Sequence, residues 1–154
     1  MDSPGVPAGL VIREAGADDL DAILALYAQP GMDDGRLLDR ASALAVFAQI
    51  MAVPGYRLHL AELDGIPVGT FGLFIMPKLG HCGSPSGVLE DIVVDSAHRG
   101  RGLGRRMVAH AIELCRSAGC YKLTLSSNLA RSGAHAFYDR LGFERHGCSF
   151  RVKP

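Results

Sequence analysis

The chain has 154 residues and no net charge at pH 7, because its 16 basic side chains balance its 16 acidic ones. Hydrophobic residues make up 48% of the chain, which indicates a globular protein rather than a disordered one. Proteins that bind polyanions usually carry a basic excess, so the charge balance argues against a nucleic-acid partner. With no signal peptide and no apolar run of about 18 residues, we expect a cytoplasmic protein without a membrane span.

The domain organisation is predicted to be simple, because no repeat, low-complexity tract or linker interrupts the chain. We expect a flexible segment over residues 1–9 and one domain over residues 10–154. The cysteines form no CxxC pair and their spacing matches no common ligand pattern, which predicts reduced thiols and no metal site. They are Cys82, Cys115, Cys120 and Cys148.

Hydrophobic periodicity divides the first half of the chain into a strand, two helices and a hairpin. GLVIREA predicts a strand, and DDLDAILALYAQ predicts a helix that is capped by Asp18. SALAVFAQIMA predicts a second helix, capped by Ser42 and ending before Pro54. YRLHLAEL and IPVGTFGLFIM meet at Asp64-Gly65, which is typical of a tight hairpin turn. The helical residues expected to face the core are Leu20, Ile23, Leu24, Tyr27, Leu44, Phe47 and Met51.

The second half alternates strands and helices, which indicates an α/β domain with both hairpins and crossovers. PKLGHCGSPSG predicts a loop and VLEDIVV a strand, followed by a helix from Leu103 to Gly119. YKLTLSS predicts a further strand, SGAHAFYDRL a last helix that stops at Gly142, and FERHGCSFRV one or two final strands. The residues of the long helix expected to face the core are Leu103, Met107, Ala111, Leu114 and Ala118.

The segment HRGRGLGRR lies between a predicted strand and a predicted helix. Amide groups at a helix start have no intrahelical partner and carry partial positive charge, and glycines let the backbone approach an anion. Gly100, Gly102 and Gly104 therefore suit a phosphate cradle. The segment is not a Walker A loop, because it has no Gly-Lys-Ser/Thr sequence. It is not a GxGxxG fingerprint either, because positions 105 and 107 are Arg and Met.

Two spaced motifs give the chain a family resemblance. Arg99-Gly100-Arg101-Gly102-Leu103-Gly104 matches the R/Q-x-x-G-x-G/A signature of the GNAT family of N-acetyltransferases, and AHAFYDRLGF is similar to the family's later helix. The resemblance extends from Leu10 to the C-terminus. It implies a single-domain α/β fold with a mixed, mostly antiparallel sheet of about six to seven strands, splayed in the middle and flanked by four helices.

The resemblance implies acetyl-CoA as the acetyl donor. Its pyrophosphate would lie on the amides of residues 100–105, and its pantetheine arm would pair with the strand that precedes them. Seven residues before the helix tyrosine, where the family commonly has Asn, the chain has Arg131, while Asn128 lies three positions upstream, so both remain candidates. The implied cofactor-binding residues are Ile92, Val93, Val94, Arg99, Gly100, Arg101, Gly102, Leu103, Gly104, Arg105, Asn128 and Arg131.

The reaction needs proton removal, because an alkylamine with a pKa near 10 is only about one part in a thousand neutral at pH 7. Glu90 and Asp91 are the candidate bases, and a water molecule is the alternative. Adjacent strand residues point to opposite faces, so at most one carboxylate should enter the cleft directly. Glu90 is preferred, although a β-bulge would reverse that choice. Tyr138 matches the family's general acid, which protonates the leaving thiolate.

The acceptor is expected to be a small-molecule amine with an anionic group. SSNLARSGAHAFYDRLGF and YRLHLAELDG resemble aminoalkylphosphonate N-acetyltransferases, whereas LEDIVVDSAHRGRGLG and GCYK resemble the glucosamine-6-phosphate enzymes. His135, Arg131 and the His81 loop could hold the anion. A protein lysine or N-terminal acetyltransferase is an alternative, as is a non-catalytic acyl-CoA-binding module, which Tyr138 and the strand carboxylates disfavour. A homodimer is left open.

Overall fold

The computed structural model describes residues 7–154, which form two compact units, residues 7–124 and Leu125–Pro154. Most of the segment predicted to be flexible, residues 1–6, lies outside the described residues. The boundaries predicted for a single domain over residues 10–154 stay a prediction. None of the described helices is both long enough and apolar enough to cross a membrane.

The first unit is built around a mixed sheet of five strands in the order β1-β2-β3-β4-β5. The first four strands pair antiparallel, and β5 runs parallel to β4. Three helices belong to this unit and α4 belongs to the second, which confirms the predicted α/β class with four helices. The strands are β1 (Leu10–Glu14), β2 (Tyr56–Leu63), β3 (Ile66–Met76), β4 (Ser86–Val94) and β5 (Lys122–Thr124). The helices are α1 (Leu20–Tyr27), α2 (Arg40–Ala52), α3 (Leu103–Ser117) and α4 (Ser132–Arg140).

The predicted count of six to seven strands is wrong, since the described residues form five. The predicted final strands in FERHGCSFRV are absent from the structure, where residues 143–154 have no regular secondary structure. Their apolar residues Phe150 and Val152 are 93% and 85% exposed. A strand is stabilised by packing of its side chains against neighbours, and these exposed apolar residues have no such packing.

The start of α1 differs from the prediction. A single 3₁₀ turn over Ala17–Asp19 precedes the helix, and Asp19, not Asp18, takes the N-cap position. The Asp19 carboxylate accepts the amide N–H of Gly16 at 2.8 Å and pairs with the Arg13 guanidinium at 2.7 Å. This ion pair ties the helix start to β1, a constraint that helix periodicity could not reveal.

The start and inner face of α2 also differ from the prediction. The Asp39 carboxylate accepts the amide N–H of Ser42 at 2.9 Å, so Asp39 rather than Ser42 caps the helix. Ala43 and Phe47 are buried, whereas Leu44 and Met51 are 40% and 41% exposed. Because α2 carries apolar side chains all around, its sequence pattern did not specify which of them face the sheet.

Helix α3 lies close against one face of the sheet because glycines leave room for it. A Cβ atom at Gly69 would lie 2.7 Å from the Met107 sulfur, and one at Gly87 would clash with Cys115. Leu103, Met107 and Ala111 are buried as predicted. Ala118 is exposed instead, since it follows the last residue of the helix.

His59 of β2 lies between Leu58 and Leu60 in the sequence, and this alternation predicts that it lies on the polar face, but the structure buries it. Its side chain is 3% exposed and its ring stacks on Phe71 at a centroid distance of 4.7 Å. Burial, followed by the nearby His110, lowers the pKa of His59 to about 4. Both faces of β2 are therefore buried, and alternation described only one of them.

Candidate active site

Strand β4 has an edge that is only partly paired. Its first three residues, Ser86, Gly87 and Val88, pair with β5, which ends at Thr124. Beyond that point no strand of the described residues pairs with this edge of residues 89–94, while β3 continues along the opposite edge. The backbone groups along this edge are thus free of strand partners where the sequence predicts that the pantetheine arm binds.

A β-bulge interrupts β4 at the two candidate bases. The register pairs Thr70 with Val93 but Gly72 with Glu90, so that Phe71 lies opposite both Asp91 and Ile92. Asp91 has φ = 50°, in the left-handed region that only Gly, Asn and Asp adopt readily. The simple alternation of faces therefore fails at this position, which was the condition that would shift the preference from Glu90 to Asp91.

Two tyrosines lie beside these carboxylates. Glu90 pairs with Gly72, and a Cβ atom at Gly72 would lie 3.2 Å from the Tyr56 hydroxyl. Burial and then the charges of Asp91 and Glu90 raise the pKa of Tyr56. Burial, followed by the charge of Asp91, likewise raises the pKa of Tyr27, so both phenols stay protonated at neutral pH and can donate hydrogen bonds.

The loop after α1 brings a third carboxylate to the site. The Asp33 amide donates to the Tyr27 carbonyl at 2.9 Å and the Gly35 amide donates to the Ala28 carbonyl at 2.7 Å, which folds the loop back over the helix end. The pKa of Asp91 is raised by burial and then by the charge of Asp33, while burial and Asp91 raise that of Glu90. Raised carboxyl pKa values suit general bases, because proton transfer is most efficient when the pKa approaches the working pH.

Sequence reasoning missed Tyr56 and Asp33 as site residues and treated Tyr27 only as a core residue. They come from three separate segments, and none of them belongs to a local motif. The one local signal was Gly72, since a glycine inside a strand often marks a close approach by another group.

The loop from β4 to α3 is the segment for which the sequence predicts a phosphate cradle. The Asp95 carboxylate accepts the Ala97 amide at 3.0 Å, and the Gln29 side-chain oxygen accepts the Ser96 amide at 2.6 Å. Gly102 caps α3 with φ = 77° and Gly100 has φ = 75°. No atom lies within 4 Å of a Cβ built at either glycine, so the backbone faces open space.

The amides of the cradle fit a diphosphate. At the start of α3, the Arg106 amide donates to the Gly102 carbonyl at 3.2 Å. Within residues 7–154, the amides of residues 103–105 have no protein acceptor. Unpaired amides and the positive end of the helix dipole favour an anion there. Arg99, Arg101 and Arg105 are exposed around the cradle and add positive charge.

The remaining candidates lie in the second unit. Asn128 builds a turn, because its side-chain oxygen accepts the Ala130 amide and its carbonyl accepts the Arg131 amide, each at 2.9 Å. His135 approaches the same carbonyl through Nε2 at 2.9 Å. The Tyr138 ring packs against Phe143 at 5.6 Å, and burial raises the pKa of Tyr138 while the charge of Arg131 opposes that shift. Within the unit, Arg131 is the candidate whose charge acts on Tyr138.

The family is shown by direct comparison. The model of the acetyltransferase (GNAT) family matches residues 21–143, and the chain therefore belongs to this family of acetyl-CoA-dependent N-acetyltransferases. The resemblance inferred from the two motifs is thus confirmed.

Three known proteins illustrate what the chain is similar to. A glucosamine 6-phosphate N-acetyltransferase of Trypanosoma brucei brucei is 40% identical over 96 residues, 62% of this chain but only 63% of that protein, less than two thirds of it. An aminoalkylphosphonate N-acetyltransferase of Salmonella typhimurium is 31% identical over 134 residues, 87% of this chain and 84% of that protein. The solved structure of a Trypanosoma brucei acetyltransferase superposes with a TM-score of 0.81 at 29% identity, covering 94% of this chain and 99% of the other.

Proposed function

We propose that this protein transfers the acetyl group of acetyl-CoA to the primary amine of a small molecule that also carries an anionic group. The observation that carries the proposal is the continuity of β4, whose unpaired edge begins beside two carboxylates and leads directly to a cradle of unpaired amides. The two curated relatives are named for acceptors that combine an amine with a phosphate or a phosphonate.

Donor binding is assigned to backbone groups for the most part. Ile92, Val93 and Val94 would pair with the pantetheine arm as an added strand, and the amides from Gly100 to Arg105 would hold the pyrophosphate. Arg99, Arg101 and Arg105 would add charge to the cradle. The role of Asn128 or Arg131 in cofactor binding stays a prediction from the family resemblance. Acetyl-CoA supplies an activated thioester, so this part of the site needs only to bind and orient.

Acceptor activation is assigned to the bulge. Asp91, with Glu90 beside it, would take up the proton of the ammonium group directly or through a water molecule, and the raised pKa values of both carboxyls favour that transfer. The neutral amine then attacks the thioester carbonyl, and the bond from the carbonyl carbon to sulfur breaks. Tyr138 would donate a proton to the departing thiolate, because a thiol of pKa near 8.5 is mostly protonated at pH 7 and a nearby donor eases its departure. The proton that the attacking nitrogen loses as the amide forms would restore the Tyr138 hydroxyl, directly or through water.

A panel assay of CoA release tests the proposal. It compares glucosamine 6-phosphate and aminoalkylphosphonates with neutral amines of equal size and with peptides bearing a free lysine or N-terminus. Turnover of the anionic small amines with the highest kcat/KM is the expected result. Turnover of peptides alone would establish a protein acetyltransferase, and acetyl-CoA binding without turnover of any acceptor would establish a binding module; either result contradicts the proposal.

A further inference from the structure

One side chain connects the C-terminal end of α1 with the loop that leads into the cradle. The Gln29 side-chain nitrogen Nε2 donates to the Leu26 carbonyl at 2.9 Å, and the side-chain oxygen Oε1 accepts the Ser96 amide at 2.6 Å. Gln29 and Ser96 are 67 residues apart in the sequence, so this contact exists only in the folded chain.

The partners of Gln29 fix the orientation of its side-chain amide. Nε2 faces a carbonyl, which can only accept a hydrogen bond, and Oε1 faces a backbone N–H, which can only donate one. The reversed orientation would bring two donors together at Ser96 and two acceptors together at Leu26. Because Leu26 is only 5% exposed, water has little access to its carbonyl, and the side chain of Gln29 is the group that satisfies it.

The end of α1 needs such partners because the last carbonyls of a helix have no intrahelical donor. The loop that follows α1 supplies other donors: the Asp33 amide donates to the Tyr27 carbonyl at 2.9 Å, and the Met32 amide donates to the Gln29 carbonyl at 3.2 Å. Gln29 therefore contacts both loops of the proposed site. Its carbonyl holds the loop that carries Asp33, and its side chain holds the loop before the cradle.

The loop before the cradle is fixed amide by amide. The Asp95 amide donates to the Val68 carbonyl at 2.8 Å, which continues the pairing of β4 with β3. The Ser96 amide donates to Gln29, and the amides of residues 97 and 98 donate to Asp95 at 3.0 and 2.9 Å. Within residues 7–154, Gln29 is the only side chain from another element that binds an amide of this turn.

The cradle itself lacks such internal support. Gly100 and Gly102 have open space around them, and the amides of residues 103–105 have no protein acceptor within the described chain. The segment is therefore held at its two ends, by the turn over residues 95–98 and by α3. Donors that are already ordered bind a ligand more tightly, because less conformational entropy is lost on binding. Fixing the turn should thus favour diphosphate binding.

We propose that Gln29 is a positioning residue of the donor site, which fixes the turn before the cradle to the end of α1 and thereby orders the amides that bind the diphosphate of acetyl-CoA. The inference rests on the proposed placement of the diphosphate and adds to it a residue from outside the family motifs. The pantetheine arm would pair with β4, which β3 holds in place without Gln29. Loss of the Gln29 contact should therefore affect the diphosphate and spare the pantetheine arm.

Two substitutions remove the hydrogen bond from opposite sides. Gln29→Leu removes the acceptor, and Ser96→Pro removes the amide donor, since proline suits the first position of a helical turn. Asp95 has φ = −50° and ψ = 129°, the extended conformation that a residue before proline prefers. Each variant should raise the dissociation constant of CoA, measured by calorimetry, roughly three- to tenfold, as expected for the net loss of one hydrogen bond.

The double variant and a truncated ligand show whether the effect has the proposed origin. The double variant should bind CoA as the weaker single variant does, because both changes remove the same bond. Pantetheine, which lacks the diphosphate, is measured by displacement of CoA, and its dissociation constant should be the same in the parent and the variants. Ser96→Pro should lose clearly more CoA affinity than Ser96→Ala, which keeps the amide.

The matched control is Gln49→Leu, which makes the same change at an exposed glutamine of α2 and should keep the parent affinity for CoA. Single variants with the parent melting temperature and the parent affinity overturn the inference. Equal losses for CoA and pantetheine, or additive losses in the double variant, overturn it as well. None of these measurements needs an acceptor, so a protein that binds CoA as expected but acetylates no amine contradicts only the proposed function.

Discussion

The two sides of the reaction site proposed on β4 are built in different ways. The segment proposed to bind the donor, residues 92–105, is continuous in the sequence and offers mainly backbone groups, namely the strand edge and the unpaired amides at the start of α3. The acceptor side is assembled from side chains of α1, its following loop, β2 and β4, and includes Tyr27, Asp33, Tyr56 and Glu90.

The difference follows from what each substrate requires. A diphosphate and an extended amide-containing arm are recognised by amides at a helix start and a strand edge, which many sequences can supply if glycines keep the backbone accessible. An amine acceptor needs a carboxylate of suitable pKa at one place, and pKa values are set by burial and by neighbouring charges. The donor side should therefore be sensitive to changes in backbone access, and the acceptor side to changes in single charges.

The largest expected effect is on the donor side, at Gly102. Gly102 has φ = 77°, a left-handed backbone conformation that Asp and Asn both tolerate. Because the two side chains have the same shape, comparing the Asp and Asn variants separates the effect of charge from that of backbone strain. Gly102→Asp should reduce kcat/KM for acetyl-CoA by about 100-fold or more, because a carboxylate enters the open space above the unpaired amides. Gly102→Asn should lose clearly less. Equal losses in the two variants would show that shape, and not anion binding, governs this position.

The next effect concerns Tyr138. Tyr138→Phe keeps the ring that packs against Phe143 and removes only the hydroxyl donor. Since general acids contribute about 10²–10⁴-fold, kcat should fall at least about tenfold even if water partly replaces the donor. KM for acetyl-CoA should change little. Parent-level kcat under saturating acetyl-CoA and amine would remove Tyr138 from the mechanism.

The two carboxylates of the bulge can be ranked by paired substitutions. Asp91→Asn should lower kcat/KM for the amine by at least about tenfold, and by more than Glu90→Gln does, because the bulge turns the preference toward Asp91. The measurement is the steady-state rate of CoA release at several pH values. A larger loss for Glu90→Gln would restore the choice made from strand alternation, and small losses in both would favour proton removal by water.

The smallest effect is a shift in pH dependence caused by Asp33. Its negative charge raises the pKa of Asp91, so Asp33→Asn should lower that pKa. Because Asp91 would accept a proton only when ionised, the rising acid limb of the kcat/KM profile should move to lower pH, while the limiting rate at high pH stays near that of the parent. Asp18→Asn, a change at an exposed residue of the 3₁₀ turn, should leave the profile in place. A limb that moves to higher pH in Asp33→Asn would contradict the arrangement.

The backbone features of the proposed donor side could be predicted from the sequence because they depend on local information. Glycines at positions 100, 102 and 104 between a strand and a helix indicate unpaired amides without any knowledge of distant contacts. The hairpin at Asp64-Gly65 and the helix from Leu103 were predictable for the same reason, and the structure confirms both.

The acceptor side could not be predicted, because its residues meet only in the folded chain. The bulge at Asp91 depends on the register between β3 and β4, and the position of Asp33 depends on hydrogen bonds from its loop to the end of α1. The outward position of Met51 has a similar origin, since an evenly apolar helix does not specify its buried face. Burial, which decides both the pKa of a carboxyl group and the inner face of a helix, is a property of the packed molecule.

Residue-resolved amide hydrogen exchange, with and without saturating acetyl-CoA, tests most directly the claim that the donor binds along the free edge of β4 and on the start of α3. The amides of residues 103–105 have no protein acceptor in the structure, and they should exchange markedly more slowly when the cofactor is bound, together with amides on the open edge of residues 92–94. Unchanged exchange in both segments, with protection appearing elsewhere in the protein, would contradict the account.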